Sequence, residues 1–407
     1  MSYYKYGIII IASYLLSLSI LMSGCDSSAA NSTPQSEVES DSIEPTAIQT
    51  RTIAYSSGHS MFIDNNNSLF AWGGNWHGQL GDGTTTDRNY LIHIMDNVAS
   101  ISSRDSHTMA IKTDGGLWVW GDNEFGQIGD GSRQSRHNPT HIMDNVIDAV
   151  SGSFSSFAIR ADGSLWGWGL NNFGQVGNGT TRDQRRPVHI MDDVMFVSTF
   201  THTTMAIRSD GSLWAWGIVG LSQFGDVSLV GQPYPVHIMD NVAYVSVGSG
   251  HAAVVTTDNS LWTWGLNFHG QLGIGTLEEQ SYPIHIMDDV ASVVSGAGNT
   301  RAIKTDGSLW AWGSNTNAQL GDGTTGEEVL SPMHIMDNVI SVADGITSVL
   351  VLQSDGSLWT WGRLLYPLFE KDELEEVLRM LGHSRIPPIT VLEPTKIADN
   401  VMLPYGS

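Results

Sequence analysis

An all-β fold, a seven-bladed β-propeller of four-stranded antiparallel blades, is predicted from three observations. A block LWxWG begins at Leu117, Leu165, Leu213, Leu261, Leu309 and Leu358, with the variant LFAWG at Leu69; the leucines stand 48 residues apart five times and then 49. A second block, HIMDN or HIMDD, keeps the same beat at His93, His141, His189, His237, His285 and His334, with a degraded copy, KIADN, at Lys396. Within each unit, four short runs of β-forming residues are separated by Gly, Asp, Asn and Pro at turn positions. Such a period marks units that bury their faces only against their neighbours. Seven four-stranded units close as a propeller.

Each element of a unit has its own signal. The second and third runs of the unit beginning at Val146 meet at Asp162-Gly163, a strong hairpin dipeptide between apolar runs. The dipeptide recurs at Asp114, Asp210, Asp306 and Asp355, and as Asp258-Asn259 in the fifth unit. Strand alternation puts Trp118 and Trp120 on one face of their blade and Leu117 and Val119 on the other. The tryptophan pairs are therefore expected to fill the wedge between blades. First-strand segments such as VSVGSG at Val245 and VVSGAG at Val293 use small residues, as crowding near an axis requires.

The run HTMAIKTDGGLWVWGDNEFGQIGDG, from His107 to Gly131 and echoed around the chain, resembles the repeat of the regulator of chromosome condensation (RCC) family. The resemblance covers about residues 53–401. It implies the seven-bladed fold, with the first strand of each blade lining the axis. The chromatin-bound, nucleotide-exchanging role known in that family does not fit the ends or the charge of this chain, because function belongs to sites rather than to folds.

The N-terminal end reads as a bacterial secretory signal. Lys5 precedes an uncharged apolar run over residues 8–22, and Met22-Ser23-Gly24-Cys25 resembles a lipobox. The expected domains are a signal peptide over residues 1–24, an acylated Cys25 as mature N-terminus, a disordered tether over residues 25–50, and a propeller over residues 51–403 with an insertion at 364–388 in its last unit. Cys25 is the only cysteine, so the chain has no internal disulfide. The tether is rich in Ser, Thr, Pro and acid, with too little apolar surface to order itself. The expected location is the cell envelope, membrane-anchored on the extracytoplasmic side. The net charge of −23, from 19 Lys and Arg against 42 Asp and Glu, argues against nucleic acid, which needs a basic face.

No cofactor, metal site or catalytic residue is expected. Equivalent residues of a sevenfold ring meet only at its axis, and the six repeated histidines are expected to open the outermost strands, so they cannot share an ion. The Gly-Asp-Gly loops at Asp82, Asp130 and Asp322 lack calcium-loop spacing and read as turns. No nucleophile-elbow pattern appears.

The units differ most on one end of the ring, in the first-to-second and third-to-fourth loops. That divergent face carries Trp76, His77, Arg104, Asp105, His107, Phe125, Phe154, Phe173, Phe200, His202, His251 and Phe268. Mixed aromatic, histidine and charged residues on projecting loops suit recognition of a protein or another envelope ligand by a monomer, including recognition in the manner of an enzyme inhibitor. The alternative is a hydrolase or lyase acting on a glycan at the axial mouth, which requires titratable groups converging in one concavity. Within the insertion, Leu374, Val377, Leu378 and Leu381 recur at helical spacing, predicting an amphipathic helix over residues 369–381 on the same face.

Overall fold

The computed structural model describes residues 51–56, 58–218, 231–366, 388–399 and 401. The expected signal, Cys25, the tether and the amphipathic helix lie outside the described residues. Among these residues, twenty-eight strands form seven antiparallel four-stranded sheets, each pairing in sequence order from axis to rim. Blade 2 is representative: Val98–Arg104 lines the axis, followed outward by His107–Lys112, Leu117–Gly121 and Arg136–Met143.

The repeated Asp-Gly acts as the sequence predicts. In blade 3, Asp162 Oδ1 accepts a hydrogen bond from the Ser164 backbone N–H at 3.0 Å, and Gly163 takes a positive φ of 79°. The Ser164 hydroxyl in turn accepts from Trp166 Nε1 at 2.9 Å, so the turn also orients the first tryptophan of the motif. The Asp-Asn turns at the ends of the rim strands place Asn97, Asn145 and Asn338 at φ 60°, a conformation in which asparagine is favoured.

Seven apolar clusters hold the ring together, each made by two neighbouring blades. Trp120 packs against Met61, Ile63 and Leu80 of blade 1, while Leu117 and Val119 pack with Val146 and Trp168 of blade 3. The face assignment from alternation therefore holds. The two tryptophans are not equivalent, however. Trp120 is fully buried, whereas Trp118 is half-buried and packs edge-on to the ring of His141 at 5.4 Å. Trp118 lies beside the rim strand, where solvent reaches between the splayed blades, so the inner ring alone spans the wedge.

The repeated histidines do not open their strands. His141 is the sixth of eight residues in Arg136–Met143, and its Nε2 pairs with Asp144 Oδ1 at 2.9 Å. It works as a partner for a tryptophan face and a turn carboxylate.

Among the described residues, ring closure exchanges no strand between the chain ends. Blade 1 is built wholly from residues 53–95 and blade 7 from residues 339–398. Ile53, Phe62 and Trp72 pack against Leu350, Leu352 and Leu358, and Val401 forms a bridge to Asp64.

Candidate functional site

Two features shape the divergent end of the ring: a set of braced loops and the mouth of the axis. In the loop after the third strand of blade 1, Asn75 Oδ1 accepts from the Leu80 N–H at 3.0 Å and Asn75 Nδ2 donates to Asp82 Oδ1 at 3.0 Å. Arg88 Nε closes the loop onto Asp82 Oδ2 at 2.9 Å. The Gly-Asp-Gly aspartate is thus occupied by its own turn. Among the described residues no group of three or more His, Cys, Asp or Glu is arranged to hold a metal ion.

The same loop grips the next blade. The Gln79 carbonyl accepts from Trp120 Nε1 at 2.9 Å and from Thr108 Oγ1 at 2.9 Å. The arrangement repeats at Gln127 with Trp168 and Ser156, at Gln175 with Trp216 and Thr204, and at Gln271 with Trp312 and Thr300. Because each hydroxyl proton goes to the glutamine carbonyl, the hydroxyl can only accept from the histidine of the preceding blade. His59 Nε2 therefore donates to Thr108 at 3.1 Å, His107 to Ser156 at 3.0 Å and His251 to Thr300 at 3.0 Å. Burial disfavours the charged form and lowers their pKa values, to about 3 for His59 and about 4 for His107 and His251. This corrects the sequence reading of His107 and His251 as surface residues: both are fully buried at the start of the second strand, beneath the loops, because they bridge blades.

The other candidates stay on the divergent end. Trp76 and Phe268, at the tips of the third-to-fourth loops of blades 1 and 5, are 65% and 64% exposed. His77 is also exposed, next to Asp122 of blade 2. Phe125 packs edge-on to Phe154 at 5.3 Å, and Phe173 to His202 at 4.9 Å, so these four pair the two kinds of loop across successive blades and are half-buried.

Arg104, Asp105, Phe154 and Phe200 line a cavity of about 350 Å³ at the mouth of the axis, to which all seven blades contribute. The Arg104 guanidinium lies over the Phe200 ring, 4.2 Å from its centroid. Asp344 of blade 7 lines the same mouth, and its Oδ1 accepts from Arg301 Nη1. Asp344 Oδ2 is buried and has no hydrogen-bond partner among the described residues. Burial raises the Asp344 pKa, opposed by the charges of Arg301 and Arg104.

Tyr55, which lines the mouth, and Arg301, which is buried behind Asp344, are among the residues that the sequence reading missed. Arg301 occupies a strand position filled by Met61, Met109, Phe157, Met205, Ala253 and Leu350 in the other blades. A single charge intruding in an otherwise apolar repeat position was its signal. Tyr55 hydrogen-bonds Ser348 of blade 7, and burial raises its pKa to about 12. At the opposite end of the axis, Arg51 pairs with Asp148 and lies 5.7 Å from the Phe196 ring centroid.

Comparison with known proteins follows this geometry. Prp20p of Saccharomyces cerevisiae shares the fold with a TM-score of 0.70 at 19% identity, over 83% of this chain and 88% of that one. The same yeast protein solved with Kap60 gives 0.70 at 17% identity, over 93% and 91%. Human WBSCR16 gives 0.67 at 20% identity, over 75% and 88%. No curated protein matches the chain by sequence. The RCC1-like domain model matches residues 19–300, and regulator of chromosome condensation (RCC1) repeats match residues 290–319 and 306–352. With more than half its length matched, and with the blades, axis and tryptophan grip described above, the chain belongs to the RCC1-like domain family.

Proposed function

We propose that this chain is an envelope-anchored docking propeller that binds a macromolecular partner through its divergent face. The observation that carries this reading is the exposure of two large aromatic rings, Trp76 and Phe268, on loops whose backbones are held rigid from within. Rigid aromatic anchors on a fixed scaffold suit a protein interface, where a few such residues supply most of the binding energy. The yeast relative supports protein binding as a use of this fold, since Prp20p is described by its binding to Gsp1p and histones.

Anchoring is part of the same proposal: acylation of Cys25 would fix the chain to a membrane from the extracytoplasmic side.

The test is affinity capture from envelope extracts with full-length protein. Trp76→Ala with Phe268→Ala should leave the melting temperature unchanged and lower capture by 10-fold or more if one ring is worth about 2 kcal/mol. Replacing Asp162, Asp210 and Asp306 by Asn on the opposite end should leave capture unchanged. Capture lost with the aspartates and kept without the aromatics would place the interface on the wrong end.

A further inference from the structure

The axial mouth holds chemistry that the docking reading does not use. Its charges balance: Arg104, Asp105 and Asp344 line it, and the buried Arg301 pairs with Asp344 from behind. A neutral mouth selects against a free ion of either sign, since one arginine or one aspartate would always oppose it.

The mouth nevertheless offers a donor and an acceptor in need of partners. Arg104 presents five N–H groups; its guanidinium lies over the Phe200 face and within the field of the Asp105 and Asp344 carboxylates, and among the described residues its side chain makes no hydrogen bond, which leaves the edge of the guanidinium for acceptors. Asp344 is 4% exposed at its side chain and lines the cavity, with Oδ2 unsatisfied among the described residues. A buried acceptor left without a donor costs about 1–3 kcal/mol, so a ligand that donates to it recovers that loss.

The repeats are also pared back here. The lip position that Arg104 and Phe200 fill in blades 2 and 4 is glycine in blades 3, 5, 6 and 7, at Gly152, Gly248, Gly296 and Gly345. A Cβ at Gly296 would fall 1.9 Å from Asp344 Oδ2, so the glycine is what lets the carboxylate lie along the lip. Apolar surface accompanies these polar groups: Phe154 forms part of the wall, and Ile346 at the rim is 49% exposed.

A group that donates and accepts through the same atoms, carries no charge and has an apolar face fits all of this. We propose that the axial mouth is a subsite for one neutral sugar residue, its hydroxyls accepting from Arg104 and donating to Asp344, with its C–H face on Phe154. Each sugar hydroxyl is one donor and two acceptors, which an ammonium or a carboxylate is not. The cavity volume lies at the small end of the range for small-molecule sites. The inference is independent of the protein-docking reading and involves no chemical step.

The test titrates full-length protein in detergent with the methyl glycosides of glucose, galactose, mannose and N-acetylglucosamine, read by saturation-transfer NMR. Methylammonium and acetate serve as ionic controls. At least one glycoside should bind saturably, and Arg104→Gln should weaken it about 10-fold or more. Ala297→Trp, at an exposed lip residue whose replacement fills the mouth without touching the blades, should abolish it. Trp76→Ala with Phe268→Ala should leave it unchanged, which separates this site from the docking surface. Folded protein that binds none of the glycosides, that binds an ionic control in preference, or that binds a glycoside equally well after Ala297→Trp would overturn the proposal.

Discussion

Arg301 Nη2 donates to the Gln319 carbonyl at 2.6 Å, supplying from within blade 6 a bond that other blades receive from their neighbour. The carbonyl also accepts from Trp361 Nε1 at 3.0 Å, as the repeat requires. The hydroxyl partner is missing because Val349 stands in blade 7 where Thr300 stands in blade 6; both pair with the second tryptophan of their own blade. Arg301 fills that vacancy, and Asp344 offsets its charge. Three departures from the repeat therefore form one unit.

Their coupling is measurable by denaturant unfolding. Arg301→Met should destabilise the protein by about 3–5 kcal/mol, because it leaves Asp344 buried without its cation. Adding Asp344→Ser and Val349→Thr, the residue types of blade 6, should restore stability to within about 1 kcal/mol of the parent. A triple variant no more stable than the single one would show that the three residues act separately.

Trp216→Ala should cost about 3–5 kcal/mol, since it empties an interblade wedge and leaves the Gln175 carbonyl with one donor fewer. Trp214→Ala, at the half-buried outer ring, should cost less than half as much. Equal losses in calorimetry would contradict the distinction between the two rings.

Acid should weaken the ring through His59, His107 and His251. Their folded pKa values, about 3 to 4, lie below an unfolded value near 6.5, so the unfolded chain takes up protons that the folded one refuses. Their contribution is complete above pH of about 6.5 and declines as pH falls toward about 4, by up to about 4 kcal/mol per pH unit for the three together. His107→Asn, the residue type of Asn299 in blade 6, should lower that slope by about a third. An unchanged slope in pH-dependent unfolding would refute the assignment.

Metabolic labelling with a lipid precursor checks the anchor. Cys25→Ala should abolish incorporation and leave either an uncleaved precursor or a released chain. Unchanged labelling would remove the lipoprotein part of the proposed function.

The period of 48 residues, the Asp-Gly turns and the LWxWG alternation determined by themselves that the chain makes seven four-stranded blades and which residues share a blade face. Those signals are local, since turn chemistry and the two-residue strand period act over a few positions. Sequence also separated the varied end of the ring, with Trp76 and Phe268, from the uniform one. Only the tertiary structure decided what lies beneath the surface of that end. His107 and His251 look like loop residues along the chain, but each spans an interblade gap to a hydroxyl of the following repeat. Arg104, Asp344 and Tyr55 come from blades 2, 7 and 1 and meet only because the ring closes. A repeat pattern specifies each unit and its neighbour, whereas an axial mouth depends on all seven at once, and no local signal encodes that convergence.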